Sequence, residues 1–261
     1  MTESPNPPSL PPSPPPGVNS GGRIYGFWGT LLWGIAAYIA LTAAQVAVML
    51  AALSWWDFTQ GGSLDVETVA AHGVMVSLAA FAAAPAVLAV LALAVRRVGA
   101  DFSAYLALTP FSRHDLLVGL AAIALYIPFI AVLATWSGRP ITPSIVVETY
   151  RTARESGALI TLTLAVALVA PVTEEFAVRG FLFRGWAATR LGVPGTVLVT
   201  AALWALIHVQ YEWFFVGEIF GAGLIFGLMR ARSGSTWLTV ALHGAYNLAA
   251  LIEAAMLDPS G

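Results

Sequence analysis

Residues 168–180 read Leu168-Val169-Ala170-Pro171-Val172-Thr173-Glu174-Glu175-Phe176-Ala177-Val178-Arg179-Gly180. Three ionisable side chains stand inside an apolar run that otherwise suits a membrane helix. In hydrocarbon each costs about 2.5–3.5 kcal/mol on insertion scales. An anchor gains nothing from that cost, so the run marks a functional site. Glu175 and Arg179 are four apart and share a helix face, the spacing of a charge pair. Glu174 is rotated by about 100° from Glu175 and is left to face a cavity.

The surrounding chain fits that reading. Of 261 residues, 58% are hydrophobic and 10% charged, against about 25% charged in a soluble domain, and the mean hydropathy is +0.80. The fold class expected is all-α, a polytopic integral membrane bundle of about seven or eight transmembrane helices. A net charge of −2 gives no basic surface for nucleic acid. The absence of cysteine excludes disulfides, thiolate nucleophiles and thiolate metal sites. All twelve basic residues are arginine, which excludes lysine Schiff-base chemistry and matches the coding of a GC-rich bacterium. The membrane expected is therefore a bacterial cytoplasmic membrane.

Seven apolar runs are long enough to be spans. They are Tyr25–Trp55, Val69–Val95, Leu116–Trp136, Leu159 to about Trp186 with a kink at Pro171, Gly195–Gln210, Trp213–Met229 and Trp237–Leu257. The first two are long enough to hide a break. The amphipathic stretch Ser144–Ser156 belongs at an interface. Ahead of them, eight prolines between Pro5 and Pro16 predict a disordered tail over 1–23, with none of the features of a signal peptide. Placing the N-terminus in the cytoplasm puts nine arginines (23, 96, 97, 113, 179, 184, 190, 230 and 232) on or toward the inside and three (139, 151 and 154) outside, as the positive-inside rule requires. Trp55, Trp56, Trp136, Trp213 and Trp237 fall at helix ends like interfacial anchors. Gly217, Gly221, Gly223 and Gly227 have the spacing of close helix packing.

Two further polar clusters follow the glutamates. Trp204 and His208 are four apart on one face, as are His243 and Asn247. If the fourth and fifth helices turn around Gly192-Val193-Pro194, Glu174 and His208 both lie roughly 22–29 Å from the turn and face each other. Within the cytoplasmic half, one polar cavity open to the cytoplasm would contain Glu174, His208, His243 and Asn247. A glutamate and a histidine can activate water, and His243 with Asn247 can donate to an oxyanion, which amounts to amide hydrolysis without a serine or cysteine nucleophile. Glu174, His208 and His243 would equally make a three-ligand zinc site, so the cofactor is either none or Zn²⁺.

Glu174-Glu175-x-x-x-Arg179-Gly180, Trp204-x-x-x-His208 and His243-x-x-x-Asn247, in this order, resemble the three motifs of the CAAX-processing and bacteriocin-processing (CPBP, or Abi) intramembrane proteases, a family that includes the Ras-converting CAAX endopeptidase. One position departs, since the family usually carries Phe where this chain has Trp204. The resemblance implies a core over 158–252, preceded by N-terminal transmembrane helices over 24–157 and followed by a short tail over 253–261. It further implies that Glu174 and His208 activate water, that His243 and Asn247 form the oxyanion site, and that Glu175 and Arg179 support it, Glu175 sharing the base role. The implied activity is endopeptidase cleavage of a membrane-associated substrate, of CAAX type or bacteriocin-like, at a site reached from the cytoplasm. The partners are the lipid bilayer and that substrate. The alternative is a non-catalytic membrane adaptor or bacteriocin self-immunity protein. It places the working surface on a helix face such as that of Gly223 and Gly227.

Overall fold

The computed structural model describes residues 23–60 and 66–258; residues 1–22 of the expected Pro-rich tail lie outside them. The described residues form helices and no strand. In chain order these are α1 (Phe27–Gln60), α2 (Val66–Ala70), α3 (Gly73–Arg97), α4 (Phe102–Tyr105), α5 (Arg113–Trp136), α6 (Ser144–Glu155), α7 (Leu159–Ala187), α8 (Gly192–Leu206), α9 (Trp213–Ser233) and α10 (Thr236–Leu257). Six of them, α1, α3, α5, α7, α9 and α10, are long and apolar enough to cross a membrane, and α8 is a shorter apolar helix. The chain is an integral membrane helical bundle.

The second expected span is broken at its start, where His72 caps α3 by accepting the Val74 N–H on Nδ1. The fifth begins three residues earlier and ends four earlier than its expected run Gly195–Gln210. At 15 residues α8 rises about 22 Å, less than the about 30 Å of a hydrocarbon core. The turn before it occupies 188–191 rather than Gly192-Val193-Pro194, and Pro194 sits in the first turn of α8, where a missing N–H costs nothing. The last helix runs past Ile252 to Leu257. The amphipathic α6 lies across the start of α3, with Thr149 and Ala153 against Gly73. Its outer face is clamped by Arg151 to Glu148 at 2.6 Å and to Glu155 at 2.8 Å.

Helix α7 is the axis of the bundle, touched by α1, α3, α8, α9 and α10. It widens twice into π-helical turns, at Ala165–Val169 and Phe176–Leu182. The first follows from Pro171, which has no N–H for Ala167 O. The Ala170 N–H reaches back to Ala165 O, and Val166 O is released to accept from Asn247 Nδ2 at 2.8 Å. Ala167 O meets the backbone of α10 at Gly244, where any Cβ would collide with it. In the second turn the Phe183 N–H bonds Gly180 O and Val178 O, and Arg179 O accepts from Arg230 Nε at 3.0 Å. Each turn thus hands a freed carbonyl to a side chain from the α9–α10 hairpin.

Two apolar clusters meet at α7. One joins α5, α8, α9 and α10 around Trp204, Phe226 and Leu242. The other joins α1, α3 and α4 around Leu91, Tyr105 and Phe181. The segment after α4 is pinned beneath the α9–α10 turn. Ala107, at φ 50°, turns its carbonyl to the Thr236 N–H at 3.0 Å, and Leu106 O accepts from the Thr236 hydroxyl at 2.6 Å.

Gly223 and Gly227 are buried against Ala201 and Val197 of α8, and Gly221 against Tyr126, so this face is an internal seam and not a free surface for a partner. Gly217 meets nothing within 4 Å. Gly227→Leu is expected to lower the thermal unfolding midpoint in detergent, at an overpacking cost of about 1–3 kcal/mol, whereas Gly217→Ala leaves it unchanged. Equal midpoints for the two variants would contradict the seam.

Candidate active site

The site is built outward from one buried ion pair. Glu175 and Arg179 are both at 0% exposure, and Arg179 Nη1 donates to Glu175 Oε1 at 2.8 Å. The expected charge pair is therefore present, and it has a third member from another helix. His243 Nδ1 lies 3.0 Å from the same oxygen. A carboxylate oxygen already held by a guanidinium accepts, so Nδ1 carries a proton. Thr239 lies beside the carboxylate but gives its hydroxyl to Thr236 O at 2.9 Å, and Glu175 Oε2 accepts no hydrogen bond. Arg179 also donates from Nη2 to Gly223 O at 3.1 Å. Its guanidinium stacks over Trp204 at 4.7 Å and over Phe226 at 5.5 Å, aromatic faces that favour a desolvated cation.

Glu174 is only half-buried. Trp204 Nε1 donates to its Oε2 at 2.6 Å, which leaves Oε1 as the carboxylate's unengaged oxygen. Trp204 also fixes His208. The last turn of α8 tightens, so that the His208 N–H bonds Ala205 O and Trp204 O is left to the His208 ring, whose Nδ1 lies 2.7 Å away. A carbonyl only accepts, so Nδ1 is protonated and Nε2 carries the lone pair. Trp204 is thus a bridge, with its indole N–H on the glutamate and its carbonyl on the histidine.

Four expected residues stand in different places from those predicted. His208 lies beyond α8, in the connection to α9, four residues before Glu212, which pairs with Arg139 at 3.0 Å. It sits toward the end of the bundle opposite the turns carrying Arg96, Arg97, Arg190 and Arg232, and not in the half nearest them. Its ring ends the helix by taking the Trp204 carbonyl. Asn247 is committed to Val166 O, one turn along α10 from His243. Arg184 and Arg230, read as charges on or toward the inside, are buried at 6% exposure each. With Arg179 also internal, six of the nine arginines of that end remain outside the packed bundle, against three at the other.

The residues that spacing did not single out are those that pack the rings. Tyr211 stacks on His208 at 6.1 Å, Phe226 stacks on His243 at 5.4 Å, and Arg230 holds Arg179 O. Tyr211, three residues after His208, was the one visible as a local neighbour. Burial pushes its phenol up from the ordinary value.

The donor set expected for zinc does not converge. Among the described residues no three His, Asp or Glu side chains gather as metal ligands. The Trp204 ring stands between the three candidates, with centroids 5.3 Å from His208 and 5.0 Å from His243 and its N–H on Glu174, and the Arg179 cation lies over the same indole. Glu174, His208 and His243 as placed do not fit a shared cation.

Removing one member of a buried pair leaves an uncompensated charge, at about 3–5 kcal/mol. Arg179→Met is therefore expected to lower the unfolding midpoint in detergent steeply, and the double variant Arg179→Met with Glu175→Gln to recover part of the loss. A double variant no more stable than the single one would contradict the pairing.

Residues 156–249, which contain all three clusters, match the family model described as type II CAAX prenyl endopeptidase Rce1-like. No curated protein and no solved structure gives a significant match to the chain. The glutamate pair, its arginine and the two histidine clusters all lie inside the matched segment, so the likeness to CAAX-type endopeptidases rests on the part of the chain that carries the site.

Proposed function

We propose that the protein is an intramembrane endopeptidase that hydrolyses a peptide bond of a membrane-associated substrate with water activated by Glu174 and His208. The observation that carries this reading is the Trp204 bridge, which holds both side chains by different atoms of one residue and leaves Glu174 Oε1 and His208 Nε2 free to share a water. Glu174 takes the water proton as the oxygen attacks the substrate carbonyl carbon, and the proton passes to the departing amine as the tetrahedral intermediate collapses. In its imidazolium form His243 holds Glu175 through Nδ1–H and offers Nε2–H to the oxyanion. Glu175 and Arg179 orient that ring. Asn247 fixes α10 against the first π-helical turn through Val166 O. Each of these steps uses the chain's own side chains and water.

The arginine-rich turns support a reading in which the N-terminus faces the cytoplasm of a bacterial cell. Glu174 lies 13 residues from the end of α7 at Ala187, about 20 Å along the helix, so the chemistry takes place near the middle of the bilayer.

The test is cleavage of farnesylated and unmodified peptide libraries by the purified protein in detergent, with and without chelator. Glu174→Gln and His208→Ala are each expected to reduce turnover by about 10²–10⁴-fold while the protein still folds, and chelation to leave the wild type active. Turnover retained by both variants would refute the assignment. Activity lost to chelator would replace unassisted water activation by a metal mechanism.

A further inference from the structure

Glu218 lies inside a membrane-spanning segment, on α9, and the hydrolytic machinery above does not use it. Its Oε1 accepts from the Tyr246 hydroxyl at 2.6 Å, and its backbone carbonyl accepts from the Tyr126 hydroxyl at 2.7 Å. Among the described residues no arginine or histidine forms an ion pair with it. The other carboxylate within electrostatic reach, Glu253, is hydrogen-bonded to Thr142 at 3.2 Å. Glu218 therefore stands in a low-dielectric interior facing phenols and another acid, with no cation to balance it.

Two tyrosines connect this carboxylate to the reacting groups. Tyr246 follows His243 by three residues on α10 and packs edge-on against Phe226 at 6.2 Å, the ring that stacks on His243. Tyr211 stacks on His208 and lies within electrostatic reach of both Glu174 and Glu218. Glu218 is thus linked to the His243 ring through Tyr246 and Phe226, and lies within reach of the tyrosine that stacks on His208. Only one of its oxygens is engaged, and by a neutral donor. A group that completes it must bring positive charge and N–H donors, which an ammonium or a guanidinium does.

We propose that Glu218, held by Tyr246 and flanked by Tyr211, is a specificity-determining subsite that takes the lysine or arginine side chain of a substrate close to its scissile bond. The assignment rests on the peptidase reading above. A purely structural Glu218 would serve only to tie α9 to α10 through Tyr246. Glu218→Gln separates the two roles, because the amide oxygen still accepts from Tyr246 while the charge is gone.

The experiment measures binding in the Glu174→Gln background, so that no turnover intervenes, with and without Glu218→Gln. The probes are two fluorescent apolar peptides, acetylated and amidated, identical except for one central lysine or norleucine. The lysine peptide is expected to bind about tenfold tighter than its norleucine twin, as one favourable ion pair in a partly desolvated site allows. The difference is expected to vanish in Glu218→Gln at an unchanged unfolding midpoint. Equal binding of the two peptides, binding of neither, or a lysine preference that survives Glu218→Gln would overturn the subsite. The same peptides offered to protein with Glu174 intact report on catalysis separately. Discrimination without cleavage would keep the subsite and count against the peptidase reading.

Discussion

The arrangement depends on a full charge pair kept away from water. Glu175 and Arg179 could not remain in an apolar bundle singly, because each would carry a desolvation cost of several kcal/mol with nothing to offset it. Together they offset one another, and the geometry that lets them do so draws in every neighbouring element. The carboxylate recruits His243 from α10, and the guanidinium recruits a carbonyl of α9 and two aromatic faces. One of those faces belongs to Trp204, whose N–H and carbonyl then place Glu174 and His208. The proposed reacting groups thus inherit their positions from an ion pair that does not itself touch the water.

The two π-helical turns of α7 explain how one helix can support so many partners. A regular α-helix spends its carbonyls on its own ladder and has none to give away. Each widened turn frees one, and each freed carbonyl is met by a side chain from the α9–α10 hairpin, Asn247 in the first case and Arg230 in the second. Irregular backbone inside a membrane is tolerated only where protein re-satisfies it, and here the re-satisfying groups also set the register of the helix that carries His243.

Local spacing made part of this legible. The i,i+4 relation foretold the Glu175–Arg179 pair. The long apolar runs foretold the long helices. Spacing paired Trp204 with His208 but did not reveal it as the hydrogen-bonding bridge to Glu174, because an indole N–H finds its acceptor in three dimensions. The end of α8 was placed four residues too late for a related reason. Ile207 and Val209 continue the apolar run, but the His208 ring has already taken the carbonyl that the helix would need. Pro171 signalled a kink, while the second π-helical turn has no comparable residue to announce it. Arg230 looked like a loop charge because composition cannot tell a snorkelling arginine from one that caps a buried carbonyl. The pairing of His243 with Glu175 joins helices 68 residues apart, beyond the reach of any periodicity.

The short α8 bears on the lipid as well as on the protein. A helix about 22 Å long cannot match a hydrocarbon layer of about 30 Å, and the shortfall falls at the end where His208, Val209 and Trp213 emerge, the last two at 82% and 80% exposure. Hydrophobic mismatch of this kind draws the headgroup region inward and thins the bilayer locally. On the proposed function, thinning beside α8 would bring the headgroup region closer to Glu174 and shorten the path of hydrolytic water.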